Sequence, residues 1–556
     1  MNKNKKPFLN TNRALLIIII TTIIVFIGVK NNTFVGWDDE VYITQNPYLK
    51  LSVSNIKHSF LEGEYHRMYV PLTALSLSIN EHFSGLSPKG YLITNLFLHL
   101  ITIVLCFFII KKLSNNLYIA FWVSLIFAIH PVQAEVVAYA AGRRDVLYTL
   151  FLFASYFAYL KYINSKESGK YLSISILFFT LSLFSKTQGL LFPFLLIATD
   201  YLYKRKIFSR KLILEKIPFF VLSVIFGIIT IAILVKQKSP EFHISREVME
   251  TPIAERIIYA FFGFVNYIIN AIFPYKLSLI HPYPLSGVPI TAYISVILGG
   301  GLGIYALVAF VKKRELWQFG LLFFIISIVL MLQIFPNSYG VMNDHYLYAA
   351  LPGLALSIII LMKKLIKKSG VYISVVVLYI ITLSAISIKR VEVFRTPFSV
   401  YSDVINKYPD SYVAYNNRGT AYYNIGKLIE AKADFNSSIE IYSDNAYAYN
   451  NRAVINIATG NFQDAISDLN SAISLKSEYA DAYSNRGTAR AIMGDFSALD
   501  DHNKAVELSP KEAKYWFNRG VFHIQNNNID LGCSDIKQAE ALGYVNTIPE
   551  LRNICR

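Results

Sequence analysis

Long apolar runs without charged side chains constrain this fold more than any other feature of the sequence. Two of them, 14–29 and 371–388, contain no acidic or basic residue, and each is about long enough to cross a bilayer. Within hydrocarbon a segment must satisfy its own backbone hydrogen bonds, so such runs are expected to be helices. Only 16% of the residues are charged, against about 25% in soluble domains. We therefore do not expect a soluble single domain, a coiled coil or a disordered chain.

Roughly twelve apolar stretches can be marked before residue 390. They lie at 14–29, 91–110, 117–130, 146–163, 171–184, 188–203, 217–235, 257–273, 291–311, 316–335, 346–362 and 371–388. Clusters of Lys and Arg between them are typical of cytoplasmic loops. An odd number of stretches separates Lys204-Arg205-Lys206 from Lys312-Lys313-Arg314, so both clusters lie inside only if one stretch does not span. Stretch 257–273, interrupted by Asn266 and Asn270, is the best candidate for an interfacial or re-entrant segment.

The apolar runs stop near residue 390, which predicts two domains, 1–390 and 391–556. About eleven spans with an inside N-terminus place three regions on the outer side. They are the loop 30–90, called here the first polar loop, the region 130–145 and the C-terminal domain. Most of the unusual polar residues then share one compartment. We expect an all-α fold, in which a polytopic helix bundle precedes the C-terminal domain.

The C-terminal domain repeats itself with a period of about 34 residues, which is typical of the tetratricopeptide repeat. An Asn-Arg pair followed by Gly or Ala recurs at Asn417, Asn451, Asn485 and Asn518. About four such repeats, with a preceding half-unit, are enough to stack a continuous core. The pattern predicts an α-solenoid with a concave face that binds a peptide or protein.

The four Asn residues hold one position in the first helix of each repeat, a position that lines the concave face in the solenoid of O-GlcNAc transferase, which this domain resembles. A side-chain amide can both donate to and accept from one peptide unit. Asn417, Asn451, Asn485 and Asn518 are therefore candidate acceptor-binding residues. The alternative is that the Asn-Arg-Gly pattern only packs and caps the repeats.

Three consecutive carboxylates, Asp38, Asp39 and Glu40, follow the first apolar run. Adjacent carboxylates repel one another unless they bind a cation or exchange a proton. In an exposed loop of a soluble protein such a run would be unremarkable. In the turn after the first span of a membrane protein, it favours a functional site.

An acidic pair at this place resembles the first-loop motif of the GT-C glycosyltransferases, which use lipid-linked sugars. Further motifs follow in order: His130-Pro131-x-x-x-Glu135, Gly142-Arg143-x-Asp145, Ser185-Lys186-x-x-Gly189 and Asp344-His345-Tyr346. This ordered set, followed by repeats, resembles the transmembrane and tetratricopeptide repeat-containing protein O-mannosyltransferases and their bacterial relatives. The resemblance implies an inverting transfer of a sugar, plausibly mannose, from a polyprenyl phosphate to Ser or Thr of a captured protein.

The resemblance and the needs of this chemistry suggest a role for each motif. A base must take the proton of the acceptor hydroxyl, and cations must stabilise the leaving phosphate. Asp39 is the expected base, with Asp38 and Glu40 as orienting groups or as ligands of a divalent ion such as Mg or Mn. The expected phosphate contacts are Lys186, Arg143, Arg144 and His345, and the further site residues are His130, Glu135 and Asp344.

Each of these roles has a structural alternative. Lys186 could extend along the membrane interface, and Arg143, Arg144 and Asp145 could form an ion pair at the end of a span. His130 could be a buried histidine without a chemical role. The whole chain could also be a scaffold that assembles envelope proteins, although a scaffold has no evident use for three adjacent carboxylates.

The expected partners are a polyprenyl-phosphate sugar, membrane lipid and a protein or peptide acceptor, and nucleic acid is not expected. The composition, rich in Ile, Asn, Lys and Tyr, favours a bacterial inner membrane with periplasmic repeats; in a eukaryote the endoplasmic reticulum would take its place. Cys533 and Cys555 would then lie in an oxidising compartment, where disulfides persist. We expect these two residues to pair.

Reporter fusions test the predicted topology. A reporter that is active only outside the cytoplasm should work after Arg556, because the C-terminal domain is expected to lie outside. The same reporter should fail after Arg314, which closes a basic cluster. Reversed activity at either position would mean that a stretch other than 257–273 does not span the membrane.

Overall fold

The computed structural model describes residues 9–63, 68–165, 168–236, 251–334, 340–544 and 549–555. They form two compact units, of which the first ends at Lys407 and the second begins at Tyr408. The division falls one helix after the change of composition near residue 390, because helix Pro397–Lys407 belongs to the first unit.

Helices make up nearly all of the first unit. They are α1 Thr11–Phe26, α2 Val53–Leu61, α3 Pro71–Ser84, α4 Pro88–Ser114, α5 Leu117–Ile129, α6 Gln133–Ala138, α7 Arg143–Asn164, α8 Ser168–Ser185, α9 Phe192–Leu202, α10 Arg210–Lys236, α11 Ile253–Ile272, α12 Ile290–Lys313, α13 Leu316–Ile328, α14 Leu347–Leu365, α15 Ser369–Val393 and α16 Pro397–Lys407. Two short antiparallel strands, β1 His281–Pro282 and β2 Gly340–Met342, join two loops of this unit. The predicted all-α fold is thus confirmed.

In the described residues, seven helical segments are long and apolar enough to cross a membrane, as a multi-pass membrane protein requires. Four shorter apolar helices accompany them, at Leu117–Ile129, Gly169–Ser185, Thr187–Leu202 and Leu316–Met331. Together these segments coincide with the stretches that we expected to span. Helix α11, over the stretch that we expected not to span, is in neither group. The exact number of spans stays a prediction.

Helices α7 and α14 lie at the centre of the bundle, with most of their length buried. Helix α14 packs closely against α13 because two glycines face each other. A Cβ atom on Gly320 would lie 2.6 Å from the carbonyl oxygen of Gly353, and one on Gly353 would lie as near to that of Gly320. The N-terminal end of α7 carries one polar motif, and another, Asp344-His345-Tyr346, immediately precedes α14.

The second unit consists of helix pairs, which confirms the predicted repeats. Its helices are α17 Tyr412–Asn424, α18 Leu428–Ile441, α19 Ala446–Ala458, α20 Phe462–Leu475, α21 Ala480–Ile492, α22 Ala498–Leu508, α23 Ala513–Gln525, α24 Ile529–Ala541 and α25 Pro549–Ile554. Gly426, Gly460 and Gly494 adopt left-handed backbone conformations between the two helices of a pair, a geometry that glycine adopts without steric cost. A disulfide joins Cys533 of α24 to Cys555, just after α25.

Each repeat contains an Arg that connects three groups. Arg452 of α19 forms a bidentate ion pair with Asp468 of α20, at 3.0 and 2.6 Å, and lies over the ring of Tyr449. Its third nitrogen donates to Asn436 of the preceding repeat at 2.9 Å. The equivalent pairs are Arg418–Asp434, Arg486–Asp501 and Arg519–Asp535. The recurring Arg therefore joins the two helices of its own repeat. Arg452, Arg486 and Arg519 also join their repeat to the preceding one.

The candidate acceptor-binding Asn residues also contribute to contacts between repeats. The side-chain nitrogens of Asn451 and Asn485 donate to Asn416 and Asn450 of the preceding repeat, at 3.1 and 2.9 Å. Asn518 donates to the hydroxyl of Ser484 at 2.9 Å. One N–H of each of these three amides is thus used in stacking. The carbonyl oxygens of Asn417 and Asn451 accept from Asn416 and Asn450 at 3.3 and 3.4 Å, and each keeps a second lone pair that can accept from a peptide. Acceptor binding by these residues, and by Asn417, stays a prediction.

Replacement of Asp468 by Asn tests the importance of the Arg–Asp pair. The change removes a charge-assisted contact and leaves Arg452 without its carboxylate, which should lower local stability by about 1.5–3 kcal/mol. Hydrogen exchange of peptides from α19 and α20 in the purified chain measures the effect. Glu440→Gln, at an exposed position of α18, is the control and should change exchange of these peptides little; equal exchange in the two variants would contradict the expectation.

Candidate functional site

The first polar loop places its carboxylates through a tight turn. Gly36 and Trp37 both adopt left-handed conformations, with φ of 85° and 55°. Such a conformation is uncommon for a residue with a side chain and costs energy at Trp37. The turn directs Asp38 and Asp39 towards the N-terminal region of α7. The loop continues as a single π-helical turn, Glu40–Thr44.

Asp39 is fully buried, and backbone amides occupy both of its carboxylate oxygens. Val35 donates to Oδ2 at 2.9 Å, and Ala141 donates to Oδ1 at 2.8 Å. Burial raises the pKa of the Asp39 carboxyl to about 7, although these two hydrogen bonds lower it. Asp39 therefore holds the first loop against the segment that precedes α7.

Asp38 is the accessible carboxylate of the triplet, with 31% of its side chain exposed. It forms an ion pair with Arg144. Arg144 also donates to the hydroxyl of Tyr42 at 2.9 Å and to the carbonyl of Ala141 at 3.2 Å. These contacts hold the guanidinium in one orientation, so the position of Asp38 is fixed as well.

Glu40 lies beside this pair, and burial raises the pKa of its carboxyl. In the described part of the chain, no three His, Cys, Asp or Glu side chains form a group that could hold a metal ion. Asp38 is paired with Arg144, and Asp39 accepts from backbone amides. The predicted ligands Asp38 and Glu40 therefore do not fit a divalent ion, and we assign no reaction step to one.

A second buried ion pair lies next to the first. Lys186 donates from Nζ to Oδ1 of Asp145 at 2.7 Å, and both side chains are almost completely buried. The ammonium group lies 5.1 Å from the ring centre of Tyr346. Burial lowers the pKa of Lys186, and the neighbouring Asp145 carboxylate opposes this shift. Arg144 interacts electrostatically with Asp145 and Lys186, so the two ion pairs form one continuous charged row.

Arg143 does not belong to this row, because neutral groups occupy all five of its N–H donors. Nε donates to Asn95 at 2.5 Å, and the terminal nitrogens donate to the hydroxyl and carbonyl of Ser76, to Asn80 and to the carbonyl of Tyr91. Arg143 is fully buried. Arg143 therefore does not form the ion pair of the structural alternative, and it joins α3, α4 and α7 through neutral groups.

His345 and Glu135 come together across the site. Nδ1 of His345 lies 2.6 Å from Oε1 of Glu135, which is buried in α6. His345 also interacts electrostatically with Asp145. The structure therefore adds this pair to one end of the charged row.

Asp344 points away from the row, although it adjoins His345 in sequence. Its carboxylate accepts from the backbone amide of Ser278 at 2.7 Å and from Nε2 of His281 at 3.0 Å. Asp344 thus fixes the loop after α11. The Pro-rich sequence around His281 is consistent with a residue that shapes this loop, but it gave no signal of a carboxylate partner.

His130 is a buried histidine whose hydrogen-bond partners are backbone groups. Its Nε2 lies 3.2 Å from the carbonyl of Ala271, and the backbone amide of Val132 donates to its Nδ1 at 3.3 Å. These contacts favour the alternative without a chemical role.

Two aromatic residues of the site were missed by the sequence reasoning. Tyr42 holds Arg144 through its hydroxyl and ring, and Tyr346 lies under Lys186. Tyr346 was within a quoted motif, but an aromatic residue near a span end is also an ordinary interface anchor. The completed arrangement offers an accessible carboxylate, two cations and an imidazole, which together can accept a proton and stabilise an anion.

Comparison with known proteins gives a family match to the repeats and partial matches to named relatives. The model of the tetratricopeptide repeat family matches residues 412–445 and 446–479. A protein O-mannosyl-transferase of Caenorhabditis elegans is 30% identical over 205 residues, covering 35% of this chain and 29% of that protein. The protein O-mannosyl-transferase TMTC1 of Mus musculus is 35% identical over 129 residues, covering 23% of this chain and 14% of that protein.

Solved structures match only over part of the chain. The crystal structure of MamA is 23% identical, with a TM-score of 0.24, covering 26% of this chain and 86% of that one. The matches to the two mannosyl-transferases span less than a third of those proteins' own lengths. The similarity to the TMTC-like protein O-mannosyl-transferases, predicted from the motifs, is confirmed.

Asp39 should make stability dependent on pH. Because its pKa is raised in the folded chain, its contribution is fully present below about pH 4 and is lost as the pH rises through about 7. The loss amounts to about 4 kcal/mol at about 1.4 kcal/mol per unit of pKa shift. Asp39→Asn cannot ionise, so its Tm should fall less between pH 4 and 8. Asp410→Asn, at an exposed position, is the control; identical pH profiles for wild type and Asp39→Asn would contradict the expectation.

Proposed function

We propose that this chain is a membrane glycosyltransferase that transfers a sugar, plausibly mannose, from a polyprenyl-phosphate donor to Ser or Thr hydroxyls of extracytoplasmic proteins. The observation that carries the proposal is the charged row Asp38–Arg144–Asp145–Lys186, in which an accessible carboxylate lies beside buried cations. The mannosyl-transferase names of the relatives support the same reaction class.

Asp38, rather than Asp39, is the proposed base. Both oxygens of Asp39 accept from backbone amides in a buried site, whereas Asp38 is partly exposed. A base must come within hydrogen-bond reach of the hydroxyl whose proton it takes. We therefore assign the role of general base, inferred for Asp39 from the family motif, to Asp38. Asp39 fixes the loop that carries Asp38.

The proposed reaction is a single displacement with inversion. The acceptor oxygen attacks the anomeric carbon as Asp38 takes its proton. The bond between that carbon and the phosphate oxygen breaks, and the polyprenyl phosphate leaves with the electron pair. Arg144 orients Asp38 through the ion pair, so the carboxylate does not need to reorganise during the reaction.

Lys186 is the proposed main contact of the leaving phosphate. An ammonium group has three N–H donors, and among the described residues its one hydrogen bond is to Asp145. The other donors are suited to phosphate oxygens. Asp145 and the Tyr346 ring hold the ammonium in place. Arg143 has no role in this contact, since all its donors are occupied.

The repeat unit is proposed to capture the acceptor protein on the outer side of the membrane. The half-buried amides of Asn417, Asn451, Asn485 and Asn518 can bind an extended chain through its backbone, independently of its sequence. The disulfide between Cys533 and Cys555 supports an oxidising compartment. A bacterial periplasm and the lumen of the endoplasmic reticulum both meet this condition.

Two carboxylate variants test the proposal. Asp38→Asn removes the base and should lower sugar transfer by about 10²–10⁴-fold. Asp39→Asn should lower transfer less, because it affects only the position of the loop. Asp410→Asn is the control and should retain wild-type transfer. The assay follows radiolabelled sugar from a polyprenyl-phosphate donor into acceptor protein.

Removal of residues 408–556 should weaken acceptor capture while donor binding persists.

A greater loss of sugar transfer in Asp39→Asn than in Asp38→Asn would indicate that Asp39 is the base. Full transfer by both variants would exclude the loop from the chemistry. A phenotype only on removal of the repeats would instead support a non-catalytic scaffold.

A further inference from the structure

Three helices of the bundle end next to one another, at the end opposite the charged row. The row lies at the N-terminal end of α7, whereas Tyr159, near the C-terminal end of α7, donates to Asp200 of α9 at 2.8 Å. The hydroxyl of Tyr201 in α9 donates to a backbone carbonyl of α12 at 2.7 Å. Tyr203, just after α9, donates to the carbonyl of Lys112 in α4 at 3.3 Å. The C-terminal ends of α4, α9 and α12 therefore form one junction.

Each of these three helices is followed by a residue with a left-handed backbone. The residues are Asn115 after α4, Lys204 after α9 and Arg314 after α12, with φ of 48°, 56° and 52°. Glycine or asparagine is usual at such a position, because a β-carbon is strained there. Lys204 and Arg314 depart from this preference, and both are exposed. Two cations thus occupy positions of the junction where glycine would be less strained.

The carboxylates of this region do not neutralise the two cations. The three helix ends and the start of α10 contain eleven basic residues against three acidic ones, in segments 111–116, 200–216 and 312–315. Asp200 is buried and pairs with Arg205 at 2.7 Å and with Lys216 at 2.6 Å. Glu215 is also buried and pairs with Arg205 at 2.9 Å. The third carboxylate, Glu315, is paired with a Lys of α14.

The remaining basic residues of the junction are available to an anion. In the part of the chain that the structure describes, neither Lys204 nor Arg314 forms a salt bridge. The guanidinium of Arg314 lies 3.9 Å from the ring centre of Tyr201, which holds it beside the end of α9. A planar guanidinium fixed in this way can donate two parallel hydrogen bonds to one phosphate.

An exposed aromatic side chain favours a membrane lipid as the source of that phosphate. Phe208, in the segment between α9 and α10, is 88% exposed. The exposed residues Lys206 and Arg210 flank it. Aromatic and basic side chains together are typical of the membrane interface, where rings enter the headgroup region and cations meet anionic lipids. Helices α4 and α12 are long and apolar enough to cross a membrane, so their ends are expected at this depth.

We propose that the junction of α4, α9 and α12 binds the headgroup of an anionic phospholipid through Lys204 and Arg314. Arg314 provides the paired hydrogen bonds to the phosphate, and the ammonium group of Lys204 adds a compact positive charge. The site lies at the opposite end of α7 from the charged row. It is therefore independent of the proposed sugar transfer.

The test compares the phospholipids that remain bound to the full chain. Protein in nanodiscs with equal amounts of phosphatidylglycerol and phosphatidylcholine is released for native mass spectrometry, which measures the ratio of the two bound lipids. Wild type should retain more phosphatidylglycerol. Lys204→Gly should lower this preference about 5-fold, and Lys204→Gly with Arg314→Gln about 30-fold, because each cation near a membrane surface contributes an attraction of this size.

Lys204→Gly also separates loss of binding from loss of structure. Glycine adopts the left-handed conformation more readily than lysine, so the Tm of this variant in phosphatidylcholine nanodiscs should equal or exceed that of wild type. Asn115→Gly is the matched control, at an exposed position of the same junction. It introduces glycine into the same conformation without removing a charge, so it should keep the wild-type lipid preference.

Equal retention of both lipids by wild type would overturn the inference, as would an unchanged preference in the double variant. An equal loss of preference in Asn115→Gly and Lys204→Gly would assign the effect to the backbone and overturn it as well. Complete displacement of phosphatidylglycerol by inorganic phosphate, but not by sodium chloride at the same ionic strength, would indicate a site for free phosphate instead. Sugar transfer enters none of these measurements, so failure of the proposed function would leave the inference standing.

Discussion

The burial of three consecutive charged residues at the start of α7 is the constraint on which the site depends. Arg143, Arg144 and Asp145 are all nearly inaccessible to solvent, and a buried charge is tolerated only with partners. Consecutive helical positions point in different directions, so each residue must find its partners in a different part of the bundle. The three residues therefore connect α3, α4, the first polar loop and the turn after α8 around one helix end.

The first polar loop shows how adjacent residues of one type can take different roles. Asp39 is buried and accepts two backbone hydrogen bonds, whereas Asp38 is partly exposed and paired with a cation. The left-handed turn at Gly36 and Trp37 makes this separation possible. Desolvation of Asp39 and backbone strain at Trp37 both destabilise the folded chain. The same turn leaves Asp38 accessible beside the oriented guanidinium of Arg144.

Much of the fold followed from patterns that are local in sequence. Uncharged runs predicted the helices of the bundle, and the 34-residue period predicted the repeats, because in both cases neighbouring positions determine the structure. The partners of the site residues could not be predicted where they are distant in the sequence. The family resemblance suggested a phosphate contact for Arg143. Its donors go to Ser76, Asn80, Tyr91 and Asn95, and no motif connects these positions to it. The burial of Asp39 likewise depends on Ala141, about one hundred positions away.

The Arg residues of the repeats give the array a direction. From the second repeat on, each Arg completes its contacts with an Asn of the repeat before it, as Arg452 does with Asn436 and Arg519 with Asn503. An interface therefore becomes complete when the later repeat docks on one that is already folded. A chain emerging from a ribosome presents its repeats in this order, so each new repeat can dock on one that has already folded. In the last described repeat, a disulfide between Cys533 of α24 and Cys555, just after α25, adds a covalent link.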